Sequence, residues 1–403
     1  MSEHALNSPA RAAGVPVLLA YPFRPFFLLT AAYAVLLVLG WTGYLALGLP
    51  LPLDLPPLYW HGHEMLIGLV PAAIAGFLLT AMSNWTGAPP LRGAALAGLI
   101  AVWLAGRVVM WVPGWLPHWL VAAVDLAFLP VMAIYAFTVL ARHGNRRNYG
   151  LAGVLGVLAA ANALMHAGIA GGSAAAFSVG QALAMGLIAV LIAVIAGRIT
   201  PAFTRNWLRM HGGAPERVHT RAWLDRSAIA TLVLVLALDL ALPGSQWTAF
   251  AALAAAVANG ARLAGWGGYL TLREPLLWVL HLGYLWLVVA MALKGLAPWL
   301  GLPDSAWIHA LGTGSMSTLI LGVMARVSLG HTGRPMRLPA GAVMMFWLIS
   351  GAALLRVGLA GGVIGGHGNV LVTVAIFWVL AFGLFFAYYS PILTKPRADG
   401  RPG

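Results

Sequence analysis

Cysteine is absent from this chain of 403 residues. Its absence excludes disulfides, iron–sulfur clusters, covalently attached c-type haem and any copper site that needs a thiolate ligand. A metal or cofactor in this protein must therefore be held by histidine, methionine, carboxylate or backbone groups.

Charge is also scarce. Only 8% of the residues are charged and 61% are hydrophobic. This composition is typical of polytopic membrane proteins and does not occur in soluble domains of this length. Apolar stretches of roughly 20 residues recur along the chain and predict an all-α protein, with a single domain of twelve transmembrane helices over residues 1–403. The predicted helices are 26–48, 58–82, 93–112, 117–141, 149–170, 175–199, 222–242, 247–270, 275–296, 305–328, 339–360 and 367–391.

Acidic residues are the rarer charged group, with 10 against 23 lysines and arginines. Such an excess of positive charge suggests an anionic partner, but its distribution explains it without one. With the N-terminus inside, only Arg107, Lys294 and Arg356 fall on the outer side, which follows the positive-inside rule. We therefore expect no nucleic-acid partner. We also expect cytoplasmic tails at 1–24 and 392–403, and a cytoplasmic loop at 200–221.

Three of the predicted helices, the second, sixth and tenth, share short patterns. Gln181 and His309 each precede an arginine, Arg198 or Arg326, by 17 positions. These helices lie four apart along the chain, which suggests three consecutive units of four helices. Small-residue patterns also produce such matches by coincidence in membrane helices.

Histidines are the polar residues that most need explanation. Of the 12 in the chain, six lie in predicted tails, loops or interfaces, where a solvated side chain is the simplest interpretation. A single histidine inside a membrane helix is more often a packing or interfacial group than a ligand. Four at a similar outer depth on three helices nevertheless favour a metal or cofactor site. The six candidate metal ligands are His61, His63, His166 and His309 on the outer side, and His281 and His331 on the inner side.

The spacing in His61-Gly62-His63 carries information. Two residues along an α-helix correspond to a rotation of about 200°, so the two imidazoles point to opposite faces. They serve two centres more easily than one ion, and Gly62 lets a large flat group approach the backbone. Imidazole suits iron, copper and zinc. His166 and His309, on other helices, are the natural candidates for the ligands across from His61 and His63 at these centres.

Other polar residues suit supporting roles. Asn162 lies one turn before His166 and can bind the second ring nitrogen of a ligating histidine. Glu64 is the candidate catalytic residue, because it can orient a ligand or pass protons inward. Asp125 and Asp239 are further acids for a proton route. Arg107 is a candidate partner for a haem propionate. For both Arg107 and Asp239, an ordinary interfacial charge is the alternative.

These residues stand in motifs that resemble the NnrS family. The similarity runs nearly end to end through "WHGHEMLIGLVPAAIAGFLLTAMSNWTG", "NALMH", "AGRITPAFTRN", "HLGYLW" and "HALGTGSMSTLILGVMARVSLGHTGRP". The resemblance implies a bacterial inner-membrane protein that contains haem and copper and is linked to nitric oxide, denitrification and protection against nitrosative stress. It implies ligand roles for the six histidines, with one or two non-covalent b-type haems, but not which histidine binds which metal.

The pattern is also analogous to that of haem–copper oxidases, with twelve helices in three arcs of four and a His-x-His helix between two centres. Fold analogy does not settle function, and the adjacent histidine pair of the oxidase copper site does not occur here.

Three functions follow. The first is a haem-containing, nitric oxide-metabolising oxidoreductase, which would draw electrons from quinol or another membrane donor. The second is a transporter or metal-handling protein without turnover. The third is a nitric oxide sensor or an assembly partner of a reductase. Bound haem separates the first from the second, and catalytic consumption of nitric oxide separates it from the third.

Overall fold

A computed structural model describes residues 15–401, and within that range the secondary structure is helical, with no β-strand. We number the principal helices in chain order. They are α1 (Phe23–Leu47), α2 (Pro57–Thr86), α3 (Gly93–Trp111), α4 (His118–Arg142), α5 (Tyr149–Ala170), α6 (Ala174–Met210), α7 (Ala222–Ala241), α8 (Gln246–Ala264), α9 (Pro275–Leu300), α10 (Asp304–His331), α11 (Met344–Ala360) and α12 (His367–Leu393).

Each predicted helix corresponds to one of these twelve, and the prediction of an all-helical polytopic membrane protein is confirmed. Among residues 15–401, nine helices are long and apolar enough to cross a membrane; α7, α8 and the shorter α11 fall outside that group. The count of twelve crossings and the three-arc arrangement therefore stay predictions.

The sixth helix differs from its prediction. It continues to Met210, through the first half of the predicted loop at 200–221, although Pro201 lies inside it. Proline removes one backbone hydrogen bond, but Thr200, Thr204 and Leu208 are buried at a spacing of four residues. Burial of this face against other helices keeps the segment helical, because most helix stability in proteins comes from packing.

The bundle is closed where its first and last helices meet. α1 packs against both α2 and α12, and Trp378 Nε1 donates to the carbonyl oxygen of Ala34 at 3.0 Å. Arg24 is fully buried and donates to the carbonyl oxygens of Leu393 (2.7 Å) and Lys395 (2.9 Å). An arginine here satisfies carbonyl groups that the end of α12 leaves unpaired.

Two helices change their winding at equivalent points. In α2 the α-helical turn that ends at His63 gives way to a π-helix over Glu64–Leu69. In α10 the turn that ends at His309 gives way to a π-helix over Ala310–Met316. Such segments are rare and occur frequently at functional sites. Both follow a predicted ligand. They lie toward the end of the bundle where α2, α4, α10 and α12 begin, which we call the predicted outer end.

Candidate functional site

His61 and His63 enter two different environments on opposite sides of α2. His63 is fully buried and belongs to a compact cluster of polar side chains between α2, α3, α4 and α5. His61 is partly buried and lines a large cavity between α1, α2, α10 and α12. We call these the charged cluster and the cavity.

Both ring nitrogens of His63 face hydrogen-bond acceptors in the charged cluster. Nδ1 lies 2.8 Å from Glu64 Oε1. Nε2 lies 2.8 Å from Asn162 Oδ1 and 3.2 Å from Asp125 Oδ2. Asn162 Nδ2 also donates to Asp125 Oδ2 at 2.8 Å, which fixes the orientation of the amide. Because a neutral imidazole donates from only one nitrogen, these contacts suit the imidazolium form.

Arg107 joins the two carboxylates of the charged cluster. Its NH1 group contacts Glu64 and its NH2 group contacts Asp125, and both acids are fully buried. Tyr33 donates its hydroxyl hydrogen to the second oxygen of Glu64. Two carboxylates and one guanidinium carry a formal charge of −1, so the cluster needs one more positive charge to be neutral.

Three donor groups of the charged cluster could hold a metal ion. Ligand atoms of His63, Asp125 and His166 all lie within 4.8 Å of one another. His166 Nε2 is 2.9 Å from Asp125 Oδ2, and its Nδ1 atom is buried with no partner in the described part of the chain. The His118 ring lies 5.5 Å from the His166 ring, between the cluster and the predicted outer end. The set of two imidazoles and one carboxylate suits iron, copper or zinc.

The cavity has a different character. It has a volume of about 600 Å³, within the range of about 300–1,000 Å³ that is usual for ligand pockets. Apolar side chains of α1, α2, α10 and α12 form most of its wall, and the polar groups include His61, Gln181, His309 and Arg356.

The two cavity histidines each leave a ring nitrogen free to bind a ligand. His61 stacks on Trp41 with ring centroids 4.4 Å apart, and its buried Nδ1 atom has no partner among the described residues. His309 Nδ1 donates to the carbonyl oxygen of Ser305 at 2.7 Å. That bond leaves Nε2 as the available acceptor, an arrangement usual for metal-ligating histidines.

The residues of the cavity fit a haem group. Haem iron needs one or two axial ligands, which histidines from separate helices supply, and its porphyrin needs an apolar space. Gly312 and Gly368 also line this space, and a Cβ atom built on either residue would meet no atom within 4 Å.

The remaining predicted residues lie elsewhere. His281 Nε2 is 3.0 Å from Thr204 Oγ1, and the His331 ring is 5.5 Å from the Phe23 ring. Neither belongs to the charged cluster or lines the cavity, so the structure does not bring all six histidines together. Asp239 pairs with Lys294 at 3.0 Å and also lies apart from the cluster.

Sequence reasoning missed some residues of both regions. Tyr33 and Trp41 were not singled out, because an aromatic residue in a membrane helix has no distinctive local pattern. In the sequence, Arg356 stands out only as an outer charge, and Gln181 only as part of a possible repeat. The scarcity of outer basic residues was the signal that could have identified Arg356.

A comparison with protein families identifies the family to which this chain belongs. The family model described as NnrS protein matches residues 17–397, nearly the whole chain. The chain belongs to the NnrS family. It is therefore a membrane protein related to nitric oxide. No curated protein matches the chain. The NnrS match includes both the charged cluster and the cavity.

Proposed function

We propose that this NnrS-family protein binds a b-type haem in the cavity, where His61 and His309 would hold the iron and one of them would give up its place to nitric oxide, and that the protein reductively detoxifies nitric oxide at the bacterial inner membrane. One observation carries the proposal: an apolar cavity of about 600 Å³ has two imidazoles in its wall, each with a ring nitrogen that nothing in the described chain uses.

When bound, haem supplies a redox-active iron that binds nitric oxide. The protein supplies the surroundings. Nitric oxide is small, uncharged and soluble in the membrane, so the apolar wall admits it and excludes bulk water. Reduction of two nitric oxide molecules to nitrous oxide and water consumes two electrons and two protons. The electrons would come from quinol or another membrane donor, because the chain has no cysteine with which to attach a c-type haem.

Copper is proposed for the charged cluster, with His63, Asp125 and His166 as ligands. The charge of −1 carried by Glu64, Asp125 and Arg107 supports a monovalent cation at this position, since copper(I) would make the cluster neutral. Copper(I) and the second proton of His63 would compensate the same charge, so one replaces the other. Asn162 and Arg107 then orient the ligands, and Glu64 keeps the candidate role of passing protons.

The test is an anaerobic optical spectrum of the full chain in detergent, reduced with dithionite, before and after addition of nitric oxide. Sharp b-type bands that shift with the gas are expected, and consumption of nitric oxide is expected when a quinol is supplied. Folded protein without haem would overturn the proposal and favour the transporter or metal-handling function. Haem that binds nitric oxide without turnover would favour the sensor or assembly function.

A further inference from the structure

Arg356 is an unpaired cation in the wall of the cavity. It lies on α11 and is partly buried, and no hydrogen bond or ion pair to it occurs within residues 15–401. A cationic side chain inside a membrane bundle is costly unless an anion or a polar group compensates it. No group among the described residues therefore compensates the charge of Arg356.

The other buried or partly buried arginines and the lysine of the helices show how this protein usually meets that cost. Arg107 binds two carboxylates, Arg262 binds Asp225 at 2.6 Å, and Lys294 binds Asp239 at 3.0 Å. Arg326, at the other end of the bundle, lies 4.1 Å from the centre of the Phe203 ring. Each has a partner in the chain, so the open guanidinium of Arg356 is an exception that faces a ligand-sized space.

The position of Arg356 defines which end of a ligand it would meet. It lies near the last turn of α11, at the level of Leu58, Ser305 and Gly368, which stand in the first turns of their helices and border the cavity at the predicted outer end. The deeper wall is mostly apolar and includes Val70 and Ile320, with Thr313 and Ser317 as its polar members. The cavity thus has a cationic mouth and an apolar floor.

We propose that Arg356 binds the carboxylate edge of the porphyrin that fills the cavity, and so fixes the haem with its propionates toward the predicted outer end. The inference rests on the proposed haem site and adds the orientation of the ligand. Guanidinium binds carboxylate through two parallel hydrogen bonds, which gives direction as well as affinity. Arg107, the candidate propionate partner in the sequence, has its two terminal guanidinium nitrogens on Glu64 and Asp125 instead.

The experiment compares a porphyrin that carries two free carboxylates with one in which both are methyl esters and uncharged. The full chain is produced in a host unable to make haem, purified in detergent, and titrated with iron protoporphyrin IX and with its dimethyl ester. Wild-type protein is expected to bind the free acid about tenfold or more tightly than the ester, because only the acid forms the charge-assisted bonds. Arg356→Gln is expected to lose that preference while its affinity for the ester stays unchanged.

Two variants sharpen the result. Arg356→Lys is expected to keep part of the preference, because lysine supplies the charge without the planar pair of donors. Arg326→Gln is the matched control, since it removes an arginine that does not line the cavity, and it is expected to keep the full preference.

The outcomes separate the two proposals. If wild-type protein binds neither porphyrin, the haem site itself fails. If it binds both, and Arg356→Gln keeps the wild-type ratio of affinities, the haem site stands and the role of Arg356 is overturned. An equal loss of affinity for acid and ester in Arg356→Gln would also overturn it, because such a loss reports on the shape of the cavity.

Discussion

The two sides of α2 treat the same kind of side chain in opposite ways. On one side His63 is fully buried, and protein acceptors occupy both of its ring nitrogens. On the other side His61 stacks on Trp41 and presents a ring nitrogen without a partner to a cavity of about 600 Å³. The charged cluster is nearly closed by its own chain, whereas the cavity wall keeps polar groups that have no partner among residues 15–401.

The arginines of the two sides repeat the contrast. Arg107 is held by two buried carboxylates, and Arg356 has no partner within the described residues. The difference bears on where the proposed haem belongs: the groups around Arg107 satisfy one another, whereas the polar groups of the cavity wall are open to a ligand. Four predictions test this contrast, beginning with the largest effect.

Arg107→Met is expected to destabilise the protein by about 3–5 kcal/mol, because it leaves two buried carboxylates without their cation. Arg356→Met is the matched control on the other side. In haem-free protein it is expected to leave the stability unchanged or to raise it, because it removes an unpaired cation. Unfolding of both variants in mixed micelles by increasing SDS measures the difference. Equal losses of stability in the two variants would contradict the contrast.

His61→Ala and His309→Ala are each expected to lower haem affinity by more than about 100-fold. Loss of groups that only support a ligand already costs about 10–100-fold, and these variants remove the ligand itself. His331→Ala is the control, since His331 lies against Phe23 away from the cavity. Titration of haem-free protein, followed by its optical spectrum, gives the affinities. Weaker binding in His331→Ala than in His61→Ala would place the haem elsewhere.

Asp125→Asn is expected to lower copper affinity by about 10–100-fold while haem binding persists, because it removes a proposed ligand and an anchor of His63 and His166. Competition with a copper(I) chelator, read beside the haem spectrum of the same sample, measures both. Asp239→Asn is the control, because Asp239 is an acid of the membrane region that pairs with Lys294 outside the charged cluster. Loss of haem without loss of copper would reverse the assignment of the two sides.

Much of the division between the charged cluster and the cavity could be predicted from sequence. Hydrophobic runs located the twelve helices, and the two-residue spacing of His61 and His63 predicted that they face apart. The helix period also placed Asn162 and His166 on one face, and both contact Asp125.

The pairing between helices could not be predicted. Nothing local in the chain tells Arg107 to bind Glu64 and Asp125, since these contacts join α3 to α2 and α4. The π-helices after His63 and His309 cannot be predicted either, because both helices are apolar on nearly all faces and have no one-sided pattern that an extra residue in a turn would visibly shift. The extension of α6 past Pro201 has a similar cause: burial by neighbouring helices outweighs a local helix-breaking signal.

The smallest expected effect concerns a single hydroxyl group on each side. Tyr33→Phe removes a hydrogen bond to the buried carboxylate of Glu64, and bonds to charged groups contribute about 1.5–3 kcal/mol. The lower value of about 1.5 kcal/mol is expected, because Glu64 keeps Arg107 and His63 as partners.

Tyr59→Phe is the control. Tyr59 stacks on Phe177 beside the cavity, and its hydroxyl makes no hydrogen bond within residues 15–401, so its loss should leave stability unchanged. Unfolding in SDS measures the stability of both variants. If Tyr59→Phe is the less stable of the two, the cavity wall and not the charged cluster is the side of α2 that is more sensitive to loss of a hydroxyl group.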